Sequence, residues 1–292
     1  MLFLFWVPGA TCGAQELEPR AYSPNPIGLN FFGIGFVRTS GGVLVDPSLP
    51  VSNVDARLNS AVLGYGRTFS VFHRSASAAV AVPYVEGEVA GDVGENRREV
   101  QRSGFADPRL RLTVNLIGDE ALTPAQFAVR KPATSLGATI VVVPPLGEYD
   151  SSKLVNLGAN RWAVKLELGL SHPHGPWHLE TYGGVWMFTE NERFLGVGRK
   201  QDPISTVQAH VSYTFRPRLW LAANATYYRG GETTVDGRGN ADLQSNTRIG
   251  LTLSLPIRGR QSTKITWSDG VATRIGGDFT IIGVAWQYTW FD

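Results

Sequence analysis

Hydrophobic and polar residues alternate along most of this chain, and the period is two. In Arg109-Leu110-Arg111-Leu112-Thr113-Val114-Asn115-Leu116 the even positions are apolar and the odd positions polar. Side chains of a strand point alternately to opposite faces, so such a run predicts a strand with one greasy and one wet face. The same split runs from Trp162 to Ser171, from Thr206 to Phe215, from Arg248 to Leu255 and from Ile281 to Trp290. Weaker strands are expected near 29–38, 56–69, 75–86, 134–144, 177–188, 218–228 and 261–268. That gives about twelve strands of about ten residues, the length that crosses a bilayer at a tilt.

The connections sort by length. Short turns fall at Phe72-His73-Arg74, at His172 to Pro176, at Arg216-Pro217 and at Arg258-Gly259-Arg260. Long polar segments cover 39–55, 87–104, 145–160, 189–202, 229–246 and 269–278. Alternation of long and short connections is how bacterial barrels divide outer loops from periplasmic turns, and it puts both chain ends on the periplasmic side. Residues 117–133 break the rule: a periplasmic turn is due, yet the segment is long. Thr123 as N-cap and Pro124 at the first helical position predict a short helix there.

Composition supports the same reading. Of 292 residues 18% are charged and 11% aromatic, and no apolar run is long enough for a transmembrane helix. A membrane-spanning chain of this kind must cross with strands, and only a closed barrel satisfies every strand amide in lipid. The fold class expected is therefore all-β, a transmembrane antiparallel up-and-down β-barrel of about twelve strands over residues 29–292, in the bacterial outer membrane. Its apolar faces point to lipid. The polar faces then line the lumen with Arg109, Arg111, Lys165, Glu167, Glu180, His210, Arg248 and Lys264. Trp162, Trp177, Trp220, Trp267, Tyr288 and Trp290 stand at or near strand ends and are expected in the aromatic girdles of the two interfaces.

Residues 1–14 read as a secretory signal, with an apolar core from Met1 to Val7 and small residues at Cys12 and Ala14 before the cleavage point. No positive leader precedes that core, so a start further upstream is expected. Lipid attachment at Cys12 is disfavoured, because Gly9-Ala10-Thr11 lacks the leucine-like residue of lipoprotein signals. Residues 15–28 are expected as a periplasmic N-terminal segment ahead of the barrel.

The near-neutral formal charge of +2 and the lack of a basic stripe argue against nucleic-acid binding. One cysteine and five histidines do not make the usual zinc sites, so no metal and no cofactor is expected. His172 and His174 flank Pro173 and read as turn residues. There is no Gly-x-Ser-x-Gly elbow or phosphate loop of the Walker type. His210 and Ser212 share a strand face, which keeps a membrane hydrolase as a minor alternative. Lys165 with Glu167, and Arg109 with Arg111, read first as lumen charges that hold the barrel's shape.

A series of short motifs gives a resemblance. Gly104-Phe-Ala-Asp107-Pro108, Pro145-Leu-Gly147-Glu-Tyr149, Asn156-Leu-Gly158-Ala-Asn160-Arg161-Trp162, Asp202-Pro203, Val235-Asp236-Gly237, Ser268-Asp269-Gly270 and Gln287-Tyr288-Thr289-Trp290 follow one another in order. In this the chain resembles the bacterial outer-membrane transporters labelled MetA-pathway of phenol degradation, over roughly residues 25–292. The resemblance implies an outer-membrane barrel that passes aromatic or other small hydrophobic compounds. It also implies a last strand read by the barrel-assembly machinery, although Asp292 follows the usual terminal aromatic, here Phe291. The reading is a passive channel for small solutes, with outer-membrane lipids as surroundings. The alternatives are a plugged structural or adhesive barrel that binds partners through its loops, the hydrolase, and, least favoured, a soluble lipocalin-like barrel with its apolar faces inward.

Overall fold

The structure is a computed structural model of the chain, and it describes residues 17–44, 51–118 and 120–292, leaving aside the Val51 side chain. The signal expected over 1–14, with Cys12, lies outside the described residues. The strands in chain order are β1 (Leu29–Leu44), β2 (Val51–Val71), β3 (Arg74–Val93), β4 (Asn96–Phe105), β5 (Arg109–Ile117), β6 (Ser135–Val143), β7 (Ala163–His174), β8 (Trp177–Phe188), β9 (Asn191–Phe194), β10 (Val197–Gln201), β11 (Ile204–Arg216), β12 (Leu219–Gly230), β13 (Thr233–Val235), β14 (Arg238–Gly239), β15 (Gln244–Pro256), β16 (Gln261–Ala272) and β17 (Gly276–Phe291). One helix, α1 (Pro124–Val129), lies between β5 and β6.

β4 and β5 are two halves of one wall strand, broken at Ala106-Asp107-Pro108, and both pair with β3. Counted so, the wall has twelve antiparallel strands. The ring is closed by β1 on β17 at one seam and β2 on β3 at the other. Closure removes sheet edges, which lipid could not satisfy. Turns such as Phe72-His73, with both residues at positive φ, join the strands tightly at one end.

The faces follow the alternation. Leu166, Leu168, Leu170, Val207, Leu251 and Ile282 are exposed on the outside of the barrel, while Lys165, Glu167, Gln208, Arg248 and Gln287 are buried inside it. The largest buried side chains are a mixture of aromatic and charged ones, and the apolar clusters inside are small. An apolar exterior around a polar interior is the membrane-barrel arrangement, the reverse of a soluble barrel. The lipocalin-like alternative is thereby set aside.

Two regions differ from the sequence expectation, and the 117–133 connection agrees with it. The described parts of 39–55 and most of 87–104, expected as loops, are strand: β1 and β2 pair as far as Val43–Val54, and β3 and β4 form a tall hairpin. There both faces meet water, so the period-two signal fades although the backbone ladder goes on. The segments 189–202 and 229–246 likewise fold into a second sheet of order β14-β13-β10-β9. The 117–133 connection carries α1, with Thr123 as N-cap in a capping box with Gln126 and Pro at the first turn.

Candidate functional site: a plugged lumen with an outer vestibule

Residues 17–28 run inside the barrel. The segment enters from the mouth where β1 begins, held there by Gly28 N donating to Thr68 O (3.0 Å) and by the Thr68 hydroxyl donating to Pro26 O (2.7 Å). It then crosses the lumen. Tyr22 is fully buried, its ring against the backbones of Gly137 and Gly169, and its hydroxyl donates to Glu167 Oε1 at 3.0 Å. A Cβ at Gly169 would lie 1.9 Å from the Tyr22 ring, so glycine is what lets the ring seat there. Arg20 N donates to Glu180 Oε2 (2.6 Å), its guanidinium donates to Ser212 Oγ (2.9 Å) and Thr214 Oγ1 (2.7 Å), and it stands 4.6 Å over the Trp220 ring. Glu18 reaches Arg111 on the β5 side in an ion pair, while Leu17 lies near Gly250 of β15. Three prolines, Pro19, Pro24 and Pro26, keep the segment out of both helix and ladder.

The eight lumen candidates can now be placed. Lys165 and Glu167 form an ion pair, and Glu167 is 4.0 Å from Arg111. Glu180 receives the Arg20 amide. His210 Nδ1 meets Asn224 Oδ1 at 2.9 Å, Arg248 donates to Phe279 O at 2.5 Å, and Lys264 lies 5.8 Å over Trp220. Arg109 borders the remaining space. These side chains face inward, and most of them clamp the segment or the wall. Ser212 and His210 are buried in the lumen, with the serine hydroxyl accepting from Arg20. They are not on an outer wall where a lipid bond would lie. No group of three or more metal-ligating residues forms among the described residues.

The girdle candidates divide. Trp162, Trp177, Trp267 and Tyr288 are exposed on the outer face, and Trp290 is half-buried beside Tyr288, with ring centroids 5.8 Å apart. Trp220 is a correction: it is completely buried in the lumen beneath Arg20. Its parity along β12 is that of Asn224 and Thr226, the inward set, while Leu221 and Tyr227 face out. Proximity to a strand end was not enough; the face decides. Asp292 pairs with Arg67 (2.6 Å) and accepts from Asn30 (2.9 Å), pinning the β1–β17 seam.

Two of the spaces lined by described residues lie against the segment and above it. A passage of about 80 Å³ in the half towards the short turns runs beside Glu18 and Arg20 along β2, β3 and β5. A vestibule of about 480 Å³ fills the half towards the long loops. Arg109 lines both.

The wall of the vestibule explains the motifs. At the break in the fourth wall strand, Asp107 accepts from Gly147 N (2.8 Å) and Ala159 N (2.7 Å), drawing in the 144–162 connection. Glu148 closes the free side of β4: its amide donates to Phe105 O (2.8 Å) and its carboxylate accepts from Phe105 N (3.2 Å). Tyr149 Oη accepts from Asn191 (2.9 Å), and Asn160 donates to Asn191 (2.8 Å), tying that loop to β9. Segments 40 or more residues apart in sequence thus meet at one clamp.

A profile of proteins described as MetA-pathway of phenol degradation matches residues 36–280. The chain belongs to this family. Among solved structures, the COG4313 outer membrane channel from Pseudomonas putida F1 superposes with a TM-score of 0.81 at 20% identity, covering 94% of this chain and all of that one. The beta domain of the Bordetella autotransporter BrkA gives a TM-score of 0.49 at 8% identity, covering 90% of this chain and 100% of that one. The CymD monoaromatic hydrocarbon channel gives 0.45 at 10%, covering 92% and 89%. No curated protein matches the sequence. This family member has the fold of an outer-membrane β-barrel.

Proposed function

We propose that this family member is a passive channel for small solutes whose lumen is narrowed by its own N-terminal segment. What supports the reading is that Arg109 belongs to the lining of both the vestibule and the inner passage, so the two spaces meet at one side chain. A solute enters among the outer loops, passes Arg109, and leaves beside the plug towards the periplasm. About 80 Å³ holds only a few water-sized groups, so the passage at rest admits small molecules and ions. Three arginines, Arg20, Arg109 and Arg111, against one carboxylate, Glu18, give its described lining a positive formal charge. The apolar lining of the vestibule (Val85, Val89, Trp186 and Phe188 among others) suits aromatic or other hydrophobic solutes. Lipids surround the barrel, and the last strand, β17, is the segment offered to the barrel-assembly machinery.

Swelling of liposomes that contain the purified protein tests this. Small aromatic and polar solutes should enter and larger sugars should not, and Arg109→Gln should shift ion selectivity towards cations. Liposomes as tight as protein-free ones to every solute would leave the plugged structural barrel as the better account.

A further inference from the structure

We propose that the outer vestibule is a binding site for amphipathic organic carboxylates, molecules with an apolar body and one anionic head. The inference deepens the channel reading, on which it rests for the purpose of the site, and it goes beyond a sieve for neutral hydrocarbons.

The chamber holds two kinds of lining. One is apolar: Val85, Val143, Trp186, Phe188, Ile204 and Phe279. The other is a set of four arginines, Arg102, Arg109, Arg161 and Arg199, beside one carboxylate, Asp107, among the described lining residues. Both Asp107 oxygens are occupied by the amides of Gly147 and Ala159. Asp242, which acts electrostatically on Arg199, has its oxygens on Thr233 N and Oγ1, each at 2.7 Å. Four arginines to one aspartate give the described lining a positive formal charge.

The guanidinium groups are held on aromatic supports. Arg161 stands 4.5 Å over the Phe188 ring and donates to Gln201, and Arg199 stands 5.0 Å over the Phe194 ring. A guanidinium lying on a ring presents its N–H edge sideways, which is the fork that pairs with a planar carboxylate. A site for neutral hydrocarbon gains nothing from four cations, each of which resists removal from water. A site for an inorganic anion has no use for the apolar lining. Together the two features fit a ligand that is apolar at one end and anionic at the other. About 480 Å³ lies within the size range of small-molecule sites.

The test is calorimetric titration of the full-length protein in lipid nanodiscs with three probes: biphenyl-4-carboxylate, its neutral counterpart biphenyl-4-methanol, and acetate. The carboxylate should bind about ten-fold or more tighter than the alcohol, and acetate should give no measurable heat. Arg161→Gln combined with Arg199→Gln should reduce that preference to less than about three-fold. Because Arg161 also ties the chamber wall to Gln201, a second measurement uses the unmodified protein: raising salt should weaken the carboxylate and spare the alcohol. Equal affinity for acid and alcohol, a preference insensitive to salt, or no binding of either probe would overturn the inference. Conductance of the same preparation separates the two readings. Carboxylate preference without conductance defeats the channel and leaves the site, and conductance without preference does the reverse.

Discussion

The Tyr22 hydroxyl donates to the Glu167 carboxylate across 3.0 Å inside the barrel, 145 residues away along the chain. Glu167 in turn pairs with Lys165 and approaches Arg111, which holds Glu18. One network thus ties the N-terminal segment to two sides of the wall. The lumen is narrowed by side chains that also bind one another, and buried polar groups of this kind are costly unless all are partnered.

Gly169→Val should unseat the segment, because the added carbon falls on the Tyr22 ring. The Ser23 hydroxyl is buried. A cysteine placed there by Ser23→Cys, in a Cys12→Ser background, should react slowly with a maleimide in the parent and at least about ten-fold faster once Gly169 is replaced. Equal rates would mean that Tyr22 does not anchor the segment.

Arg111→Gln should lower the temperature at which the barrel loses its folded gel mobility, since it leaves Glu18 and the partners of Glu167 unbalanced. Breaking a pair of this burial costs about 3–5 kcal/mol at most, and the Arg111 side chain keeps a fifth of its surface, which reduces that figure. Adding Glu18→Gln should restore part of the loss, giving a coupling of about 1 kcal/mol or more in the double-mutant cycle. Additive effects would contradict the pairing.

Asp107→Ala should loosen the 144–162 connection by removing the acceptor for Gly147 and Ala159. Each hydrogen bond to a charged group contributes about 1.5–3 kcal/mol. Trypsin should then cut folded protein at Lys153, which is exposed but lies in a pinned loop, several-fold faster than in the parent. A cleavage rate that does not change would show that the loop is held by other contacts.

Leu168 is 55% exposed in mid-strand on the outer face. Leu168→Arg should destabilise the protein in bilayers by about 2–4 kcal/mol, the cost of a cation at the midplane. In single-tryptophan variants, brominated lipid should quench Trp162 or Trp177 strongly and Trp220 weakly. The reverse order would invert the faces assigned to β7, β8 and β12.

The wall was legible in the sequence where each strand has one face in lipid and one in water, as at Leu110 to Leu116 or Ile249 to Leu255. The period-two signal exists only under that contrast. It is lost in the tall hairpins above the membrane and in β9, β10, β13 and β14, where both faces are wet. The lumen set Lys165, Glu167 and Glu180 followed from strand parity, and the same parity would have placed Trp220 inside. The segment from Leu17 to Gly28, expected as a periplasmic piece, carries no periodic signal. Its cue is the prolines at 19, 24 and 26, which forbid regular structure without saying where the chain goes. The clamp at Asp107 was visible only as motifs in order. That Asp107, Gly147, Glu148 and Asn191 meet is a property of the closed ring.

Single-channel recording decides whether the N-terminal segment narrows a conducting barrel. The full protein should give small, steady conductance steps in planar bilayers, and an internal deletion of residues 17–26 should give steps several-fold larger from an equally heat-modifiable barrel. Steps of the same size with and without the segment, or silence in both, would contradict the account.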